Sequence, residues 1–221
     1  MSGRLIQLPD DRSEHGQVMT VDGGVGDDHP MRKVTRQVAF GAGWSSERAR
    51  KVADLFDGMA GGWDSTHSDP IRLAPVADAV ARGGMNLDGR WLELGAGTGA
   101  GTRLLAPAVA ADGGFLAAAD LALQMLKSSP HRVAPLVQAD ASRLPFPDNR
   151  LDGIALVNML LFPDEVNRIL RASGQLMWVN TLGDRTPIHL APEDVLLALP
   201  GEWAATWARS GTGFWMVASR V

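Results

Sequence analysis

One stretch of the sequence, WLELGAGTGAGT at residues 91–102, combines an acid with closely spaced glycines. The apolar residues around Glu93 indicate a buried strand, and Gly95, Gly97 and Gly99 follow where that strand must turn into a helix. Glycines allow a sharp turn and let a ligand approach the bare main chain, as in nucleotide-binding α/β proteins. A carboxylate inside a central strand is costly without a partner, and a bound cation would provide one. The pattern therefore predicts a nucleotide-like ligand that carries positive charge close to Glu93.

The glycines alone also satisfy the G-x-G-x-x-G/A pattern of dinucleotide-binding folds, with Asp120 about 20 residues further on. Three features disfavour a nicotinamide cofactor. Glu93 would lie close to an anionic pyrophosphate, which makes a second negative charge unfavourable. A further acid, Asp140, ends the third predicted strand region, and the C-terminal hairpin differs from a second mononucleotide-binding half. An NAD-dependent oxidoreductase is therefore the less favoured alternative.

Helices and strands alternate around these motifs. Capping residues and apolar spacing predict helices at residues 46–59 and 70–82, and Pro107 is expected to end the crossover helix that follows residue 102 early. Beyond the strand that contains Glu93, strands are predicted at residues 115–119, 133–137, 151–158, 175–180, 203–208 and 214–220, with a short helix at 165–170. We predict an α/β fold with a doubly wound, mostly parallel seven-stranded sheet and a C-terminal antiparallel hairpin at its edge. Ligand groups belong at the carboxyl ends of such strands.

The first part of the chain has a different composition. Glycines, aspartates and prolines dominate residues 1–30, whose apolar content cannot offset the entropy of ordering. Residues 34–40, VTRQVAF, are interpreted as a short strand or an extended arm. We predict a partly disordered N-terminal tail at residues 1–44 and one ligand-binding domain at residues 45–221.

The overall composition limits the classes of function. The chain has 221 residues, 45% of them hydrophobic, and a formal net charge of -4, which disfavours nucleic acid as a partner. The sequence contains no cysteine, which excludes disulfides and thiolate catalysis, and no metal site is expected. No apolar run approaches the roughly 20 residues that span a bilayer, and no signal peptide is recognised. A cytoplasmic protein without a membrane span is expected.

Several spaced motifs together resemble the class I S-adenosylmethionine-dependent methyltransferases. In order along the chain, they are ELGAGTG, AAD, QADA, LPFPDNRLD and RILRASGQL. FDGMAGGWD at residues 56–64 also resembles the segment before the core in the ubiquinone/menaquinone-biosynthesis-type group, with Trp63 where a tyrosine is usual. The resemblance covers roughly residues 46–221. It implies a Rossmann-like methyltransferase fold with S-adenosylmethionine as the cofactor.

The resemblance also implies how each motif holds the cofactor. Glu93 and the glycine loop would bind the methionine end, whose amino group is cationic. Asp120 would accept hydrogen bonds from both ribose hydroxyls, and Leu121 would cover one face of the adenine. Asp140 would accept from the adenine amino group, and the backbone amide of Ala141 would donate to a ring nitrogen. The implied cofactor-binding residues are Glu93, Gly95, Ala96, Gly97, Thr98, Gly99, Asp120, Leu121, Asp140, Ala141 and Asn158, the last of them near the sulfonium. The alternative interpretations are structural, namely capping for Asp120 and Asp140 and packing for Leu121.

Methyl transfer from a sulfonium depends mainly on in-line positioning of the acceptor and on exclusion of water. A general base is needed only if the acceptor must lose a proton. His67 and His189 are the candidate catalytic residues, and a hydrogen-bonded loop histidine is the alternative interpretation of each.

The acceptor region departs from the family pattern. No histidine-containing loop follows the fourth predicted strand, and residues 183–201 are too few for a large lid. An open, apolar acceptor pocket is expected, formed mainly by the N-terminal helix at residues 46–59, by Trp63, Met159 and Phe162, and by residues 186–190. The predicted function is methyl transfer to a small hydrophobic molecule.

The short acceptor region leaves a second function open. The chain could instead be a catalytically weak S-adenosylmethionine-binding module that completes or regulates a partner. The expected partners are a small-molecule acceptor and either a second copy of the chain or another protein that completes the acceptor site.

Overall fold

The computed structural model describes residues 4–11, 29–67, 69–129 and 133–221, and one sheet of eight strands runs through this part of the chain. The strands are β1 (Arg4–Gln7), β2 (Arg90–Leu94), β3 (Phe115–Asp120), β4 (Leu136–Gln138), β5 (Leu151–Val157), β6 (Leu170–Asn180), β7 (Trp203–Ser210) and β8 (Gly213–Arg220). The helices are α1 (Pro30–Ala39), α2 (Ser46–Met59), α3 (Asp64–His67), α4 (Pro70–Arg82), α5 (Thr102–Ala111), α6 (Leu123–Lys127), α7 (Pro163–Ile169) and α8 (Pro192–Ala198). Short 3₁₀ turns lie at Ala60–Gly62 and Gly183–Arg185.

The predicted α/β fold with a mostly parallel sheet is confirmed, but the predicted number of seven strands is wrong. The additional strand is β1, in the segment that was expected to be a tail. It is four residues long and three of its side chains are exposed, so no apolar alternation marks it in the sequence. Residues 1–3 and 12–28 of the expected tail lie outside the described residues, and the division between residues 44 and 45 stays a prediction.

In the described part of the chain, the strand order is β1-β7-β8-β6-β5-β2-β3-β4. Strand β8 pairs antiparallel with both β6 and β7, whereas the other pairs are parallel. The β7–β8 hairpin is confirmed, but its predicted place at the sheet edge is wrong because β1 covers β7, with Arg4 opposite Ala204. Because β5, β2, β3 and β4 are parallel neighbours, their carboxyl ends lie side by side at the same end of the sheet.

Apolar side chains cover both faces of the sheet. On one face, Trp178 of β6 belongs to a core cluster that includes residues of α1, α7 and α8. On the other face, Trp91 of β2 and Trp215 of β8 lie in a cluster with residues of α4 and α5. No helix in the described ranges is both long and apolar enough to cross a membrane. The two-sided core holds the strand ends in fixed relative positions.

The predicted helices at residues 46–59 and 70–82 are confirmed as α2 and α4. The Ser45 side chain accepts a hydrogen bond from the Arg48 amide at 3.2 Å, and the Asp69 side chain accepts one from the Ile71 amide at 2.8 Å. Each bond satisfies an amide at the start of a helix that has no partner within the helix. Pro70 is also well placed at the first helical position.

The strand or arm predicted at residues 34–40 is wrong, because this segment belongs to α1. His29 Nδ1 accepts from the Met31 amide at 3.2 Å, and Pro30 occupies the first turn. Thr35, Val38 and Ala39 are buried at helical spacing, so the β-branched residues pack against the core from a helix. Histidine is not a common helix cap, so the start of this helix was not recognised in the sequence. The β-branched residues Val34, Thr35 and Val38 then favoured the prediction of a strand.

Further boundaries also differ from prediction. Pro107 lies inside α5 and does not end it early. Proline has no N–H to donate to the carbonyl one turn earlier, but Pro107 is on the exposed face of the helix, where that carbonyl can contact water instead. Strand β4 begins at Leu136 rather than at residue 133. Strand β6 begins at Leu170 and continues through the predicted turn at residues 173–174, with a register shift against β5.

A buried carboxylate ties α4 to β8. Asp78 is 7% exposed and forms two hydrogen bonds with Arg82, Nε to Oδ1 at 2.5 Å and Nη2 to Oδ2 at 2.6 Å. The Trp215 indole N–H donates to the same Oδ2. The helix position is therefore fixed by a polar network as well as by apolar packing.

We expect the change Gly153→Ala in β5 to lower the free energy of unfolding by about 1–3 kcal/mol. A Cβ at residue 153 would lie 2.2 Å from Cε2 of the buried Trp91 ring, so the core would have to shift. Denaturant unfolding measures the change. The matched control is Gly58→Ala in α2, where a Cβ meets nothing within 4 Å and a gain of about 0.5–1 kcal/mol is expected. Equal free energies of unfolding for the two variants would contradict the expected clash between a Cβ at residue 153 and the Trp91 ring.

Candidate active site

A cleft lies between the carboxyl ends of β2, β3, β4 and β5 and the N-terminal helices. Most of the predicted site residues line this cleft. They are Trp63, His67, Glu93, Gly95, Ala96, Gly97, Thr98, Asp120, Leu121, Asp140, Ala141, Asn158, Met159 and Phe162. Gly99 and His189 are the predicted residues that are not part of the lining. The parallel topology thus brings residues from four separate strand ends into one site.

The glycine loop after β2 has an unusual backbone. Gly95 and Gly97 have φ angles of 71° and 55°, in the left-handed region that favours glycine. The amides of Gly95 and Ala96 donate to the Ala119 carbonyl at 2.8 and 3.1 Å, which fixes the loop to β3. A Cβ at residue 95 would lie 2.6 Å from Met159 Sδ, whereas one at residue 97 would meet nothing within 4 Å. The main chain at Gly97 therefore has open space beside it in the cleft.

Glu93 is 1% exposed at the base of this loop. Its Oε2 accepts a hydrogen bond from Thr102 Oγ1, at the start of α5. The side chain fits only because residue 101 is glycine, since a Cβ there would lie 2.3 Å from Glu93 Oε1. Burial raises the pKa of Glu93 to about 7, with a smaller contribution from the negative charge of Asp120 and an opposing one from the Thr102 hydrogen bond. A cation bound in the cleft would favour the ionised form.

Asp120, the last residue of β3, joins the glycine loop to the start of α6. Its Oδ2 accepts from the Gly97 amide at 2.7 Å and its Oδ1 accepts from the Ala122 amide at 2.8 Å. Burial raises the pKa of Asp120, and the backbone hydrogen bonds oppose that rise. The capping interpretation is therefore part of its role, but each oxygen keeps a further lone pair for a ligand.

Asp140 follows β4 and has an indole partner. Trp44 Nε1 lies 3.1 Å from each of the two carboxylate oxygens, and the Ser142 amide donates to Oδ1 at 2.8 Å. The Trp44 ring contacts Phe162 edge-on, with ring centroids 5.1 Å apart. The sequence interpretation missed Trp44 because it ends the presumed tail. Its place directly before the Ser45 helix cap, where an apolar residue often packs against the helix, was the available signal.

Asn158 follows β5 with a φ of 50°, a left-handed conformation that asparagine tolerates. Its Nδ2 donates to Thr181 Oγ1 at 2.8 Å, and its Oδ1 accepts from the Thr181 amide at 2.9 Å. This pair joins the ends of β5 and β6 at the floor of the cleft. Asn158 therefore shapes the site, and Thr181 is a further lining residue that the sequence did not indicate.

Aromatic rings form the wall opposite the strand ends. The Trp63 and His67 rings stack in parallel, with centroids 3.7 Å apart, and Phe56 contacts Trp63 edge-on at 5.6 Å. Asp64, between them in sequence, accepts a hydrogen bond from Thr98 Oγ1 in the glycine loop and lies 3.6 Å from Nη2 of Arg103. The aromatic wall is thus linked by the Thr98–Asp64 hydrogen bond to the glycine loop, whose main chain is accessible at Gly97.

Comparison with known proteins bears on what this cleft holds. A family model described as a methyltransferase domain matches residues 92–177. A demethylmenaquinone methyltransferase of Mycobacterium sp. (strain KMS) is 31% identical over 163 residues, which are 68% of this chain and 69% of that protein. The chain belongs to the class I S-adenosylmethionine-dependent methyltransferases.

Two further similarities agree with this membership. A demethylmenaquinone methyltransferase of Corynebacterium urealyticum is 32% identical over 140 residues, 58% of each chain. The chain therefore spans 58% of that relative's length and 69% of the Mycobacterium relative's length. The structure of the DhpI–SAH complex superposes with a TM-score of 0.63 at 18% identity, covering 79% of this chain and 97% of DhpI, and supports the fold.

The two candidate histidines of this methyltransferase lie in different surroundings. His67 lines the cleft, and its Nδ1 lies 3.0 Å from the Trp63 carbonyl oxygen. Burial, and then the positive charge of Arg72, lowers the pKa of His67. The His189 ring packs edge-on against Phe214 at 5.7 Å, and burial lowers its pKa also. Only His67 is placed to reach a ligand in the cleft directly.

Several apolar lining residues were not identified from the sequence. They include Met31, Leu73, Met125 and Leu160, and Arg72 is a half-buried cation among them. These residues come from elements that only the tertiary structure places over the strand ends. Val52 and Ile188 also line the cleft, and they lie in the helix at residues 46–59 and in the 186–190 loop that were expected to contribute to the acceptor pocket.

The raised pKa of Glu93 predicts a pH-dependent stability. Because the pKa rises from its ordinary value of 4.5 to about 7, the folded protein binds more protons than the unfolded chain between these values. Stability contributed by Glu93 is therefore lost as the pH rises from about 4.5 to 7. We expect the isosteric variant Glu93→Gln to lack this loss and to be more stable than the native chain by about 1–3 kcal/mol at pH 8.

Urea unfolding of both proteins at pH 5 and pH 8 measures this difference in the absence of ligand. Titrating groups that do not interact with Glu93 are common to both proteins and cancel in the difference. A stability difference that does not change between the two pH values would contradict the assignment.

Proposed function

We propose that the protein transfers the methyl group of S-adenosylmethionine to a small hydrophobic acceptor. The observation that carries this proposal is the placement of Glu93, Asp120 and Asp140, from three successive strand ends, along one cleft with apolar and aromatic walls. Three carboxylates along one cleft suit a ligand with hydroxyl and amino donors and a positive charge.

The residues fit the cofactor in separate places. Glu93 and the open main chain at Gly97 would hold the methionine end, and Thr98 is fixed nearby through Asp64. The Asp120 carboxylate, already oriented by two backbone amides, has lone pairs left for the ribose hydroxyls. Asp140 and the Ala141 amide would bind the adenine edge beside Leu121. When bound, the cofactor supplies an activated methyl group on a sulfonium, which needs no metal.

The acceptor belongs on the aromatic side of the cleft. Trp63, Met159, Phe162 and Ile188 contribute apolar surface there and would exclude water from the reacting atoms. Burial lowers the pKa of His67 and so favours the neutral imidazole, the form that can accept a proton from the acceptor. The relatives named demethylmenaquinone methyltransferases suggest quinol-type acceptors as the first to test. His189 lies outside the cleft lining, so its contribution would be to hold the loop that carries Ile188.

Calorimetry followed by turnover tests the proposal. We expect S-adenosylmethionine and its demethylated product S-adenosylhomocysteine to bind, and NADH not to bind. Purified protein with methyl-labelled S-adenosylmethionine should then label a member of a panel of quinols, phenols and amines, or an acceptor in cell extract. Labelling should fall in His67→Gln if this residue accepts the proton.

The alternatives give different results in the same experiments. Binding of the cofactor without labelling of any acceptor would support a binding module that completes or regulates a partner. Binding of NADH in place of S-adenosylmethionine would contradict both the methyltransferase and the module.

A further inference from the structure

The turn between α1 and α2 places an indole on the adenine-side carboxylate. The Ala42 amide donates to the Gln37 carbonyl at 2.7 Å, and the Gly43 carbonyl accepts from Arg48 Nη1, so the turn is fixed at both ends. Gly43 has a φ of 77°, and a Cβ there would lie 2.6 Å from Arg48 Nη1. Trp44 follows at once, and its indole N–H is directed at Asp140.

The described hydrogen bonds of Asp140 leave a defined acceptor position. A carboxylate offers about four lone-pair positions, two on each oxygen. Oδ1 accepts from the Ser142 amide and shares the Trp44 N–H, whereas Oδ2 has only its share of the Trp44 N–H. Oδ2 is therefore the oxygen with capacity for a donor in the cleft. One N–H of an exocyclic amino group would satisfy it.

The Trp44 ring itself is only partly enclosed. Trp44 and Phe162 line the cleft on one side, and on the other they line a second cavity with Ser142 and Leu197, where Leu197 is 74% exposed. The edge-on contact with Phe162 and the hydrogen bond to Asp140 add to the packing of the ring against the core. Without the N–H, the Ser142 amide would be the remaining described donor to the carboxylate, and Oδ2 would have no described partner.

We propose that Trp44 is a positioning residue that holds the Asp140 carboxylate in the orientation needed to recognise the amino group of the cofactor's base. The N-terminal turn, which lies outside the matched methyltransferase domain, then sets the selectivity for adenine over a base that has a carbonyl at the same position. This inference rests on the proposed function, because it assumes that an adenine-containing cofactor binds in the cleft.

Two ligands that differ only at the base test this inference. S-adenosylhomocysteine carries the amino group, and S-inosylhomocysteine carries a carbonyl in its place. We expect the native chain to prefer S-adenosylhomocysteine by at least about tenfold in Kd, since a hydrogen bond to a charged group is lost and a carbonyl faces the carboxylate. In Trp44→Phe, binding of S-adenosylhomocysteine should weaken by about threefold to tenfold while that of S-inosylhomocysteine changes little, so that the preference falls.

The control is Trp207→Phe, which removes another half-buried indole N–H, on β7, and should leave the preference unchanged. Equal weakening of both ligands in Trp44→Phe would overturn the inference, because it would mean that the ring only covers the base. An unchanged preference in Asp140→Asn would also overturn it, since Asp140 would then not recognise the amino group. Failure of the native chain to bind either ligand would instead contradict the proposed function.

A second measurement uses the native chain and needs no substitution. In the native chain labelled with ¹⁵N at the indole nitrogens, the Trp44 N–H signal is identified by its contact with Phe162. This signal should respond differently to S-adenosylhomocysteine and to S-inosylhomocysteine. Identical shifts with the two ligands would count against a role in base selectivity.

Discussion

Replacing Asp120 by Asn is expected to weaken the binding of S-adenosylhomocysteine by about a hundredfold or more. The change keeps the shape of the side chain but removes its charge, and the new NH₂ group cannot accept. In one orientation, this NH₂ group would face the Gly97 or Ala122 amide, to which the Asp120 carboxylate is now the acceptor. In the other orientation, it would face a ribose hydroxyl. Isothermal calorimetry measures the loss directly.

The control for this prediction is Asp112→Asn, at an exposed turn after α5, which removes the same charge away from the cleft. Its Kd should equal that of the native chain. A Kd for Asp120→Asn within about threefold of the native value would show that the carboxylate only caps the loop, which is the structural alternative.

The largest loss of stability is expected from Asp78→Ala, at about 2–4 kcal/mol. The change leaves the Arg82 guanidinium without its described carboxylate partner and the buried Trp215 N–H without an acceptor. Because Arg82 retains about a third of its side-chain exposure, water compensates part of the loss. Urea unfolding monitored by circular dichroism gives the value.

The matched comparison is Glu47→Ala, which breaks a 2.7 Å ion pair with Lys51 between side chains that are both more than 70% exposed. A change below about 1 kcal/mol is expected there. Similar losses for the two variants would mean that burial of Asp78 does not control its contribution.

The acids of the candidate site could be predicted because their positions follow from topology alone. Glu93 lies within a strand, Asp120 ends the next strand and Asp140 follows the third. Parallel strands joined by helices have their carboxyl ends at the same end of the sheet. No knowledge of side-chain packing was needed for that step, and the structure places all three residues in one cleft.

Trp44 and β1 could not be found in this way. The Trp44 contact joins residues 96 positions apart, and nothing near Asp140 in sequence specifies an indole partner. Strand β1 depends on hydrogen bonds to β7 rather than on burial of its own side chains. Both features arise from tertiary pairing that overrides weak local preference.

The two histidines show the same limit for loops. His67 and His189 were equal candidates in the sequence, since each lies outside the predicted strands. The structure separates them because α3 stacks His67 on Trp63 in the cleft, whereas His189 packs on Phe214 of β8. Loop residues are placed by the elements around them, which sequence periodicity does not describe.

The pairing of β1 with β7 has a consequence for how the protein is made. On the ribosome, the residues of β1 are translated well before their hydrogen-bonding partners around Ala204 in β7. The parallel pairing can therefore form only after the strands and helices between them have been synthesised. Until then, the edge of the growing sheet and the N-terminal strand are both available to other chains. The pairing of β1 with β7 therefore waits for the synthesis of β7, and in nascent chains halted before residue 203 the described partner of β1 has not yet been made.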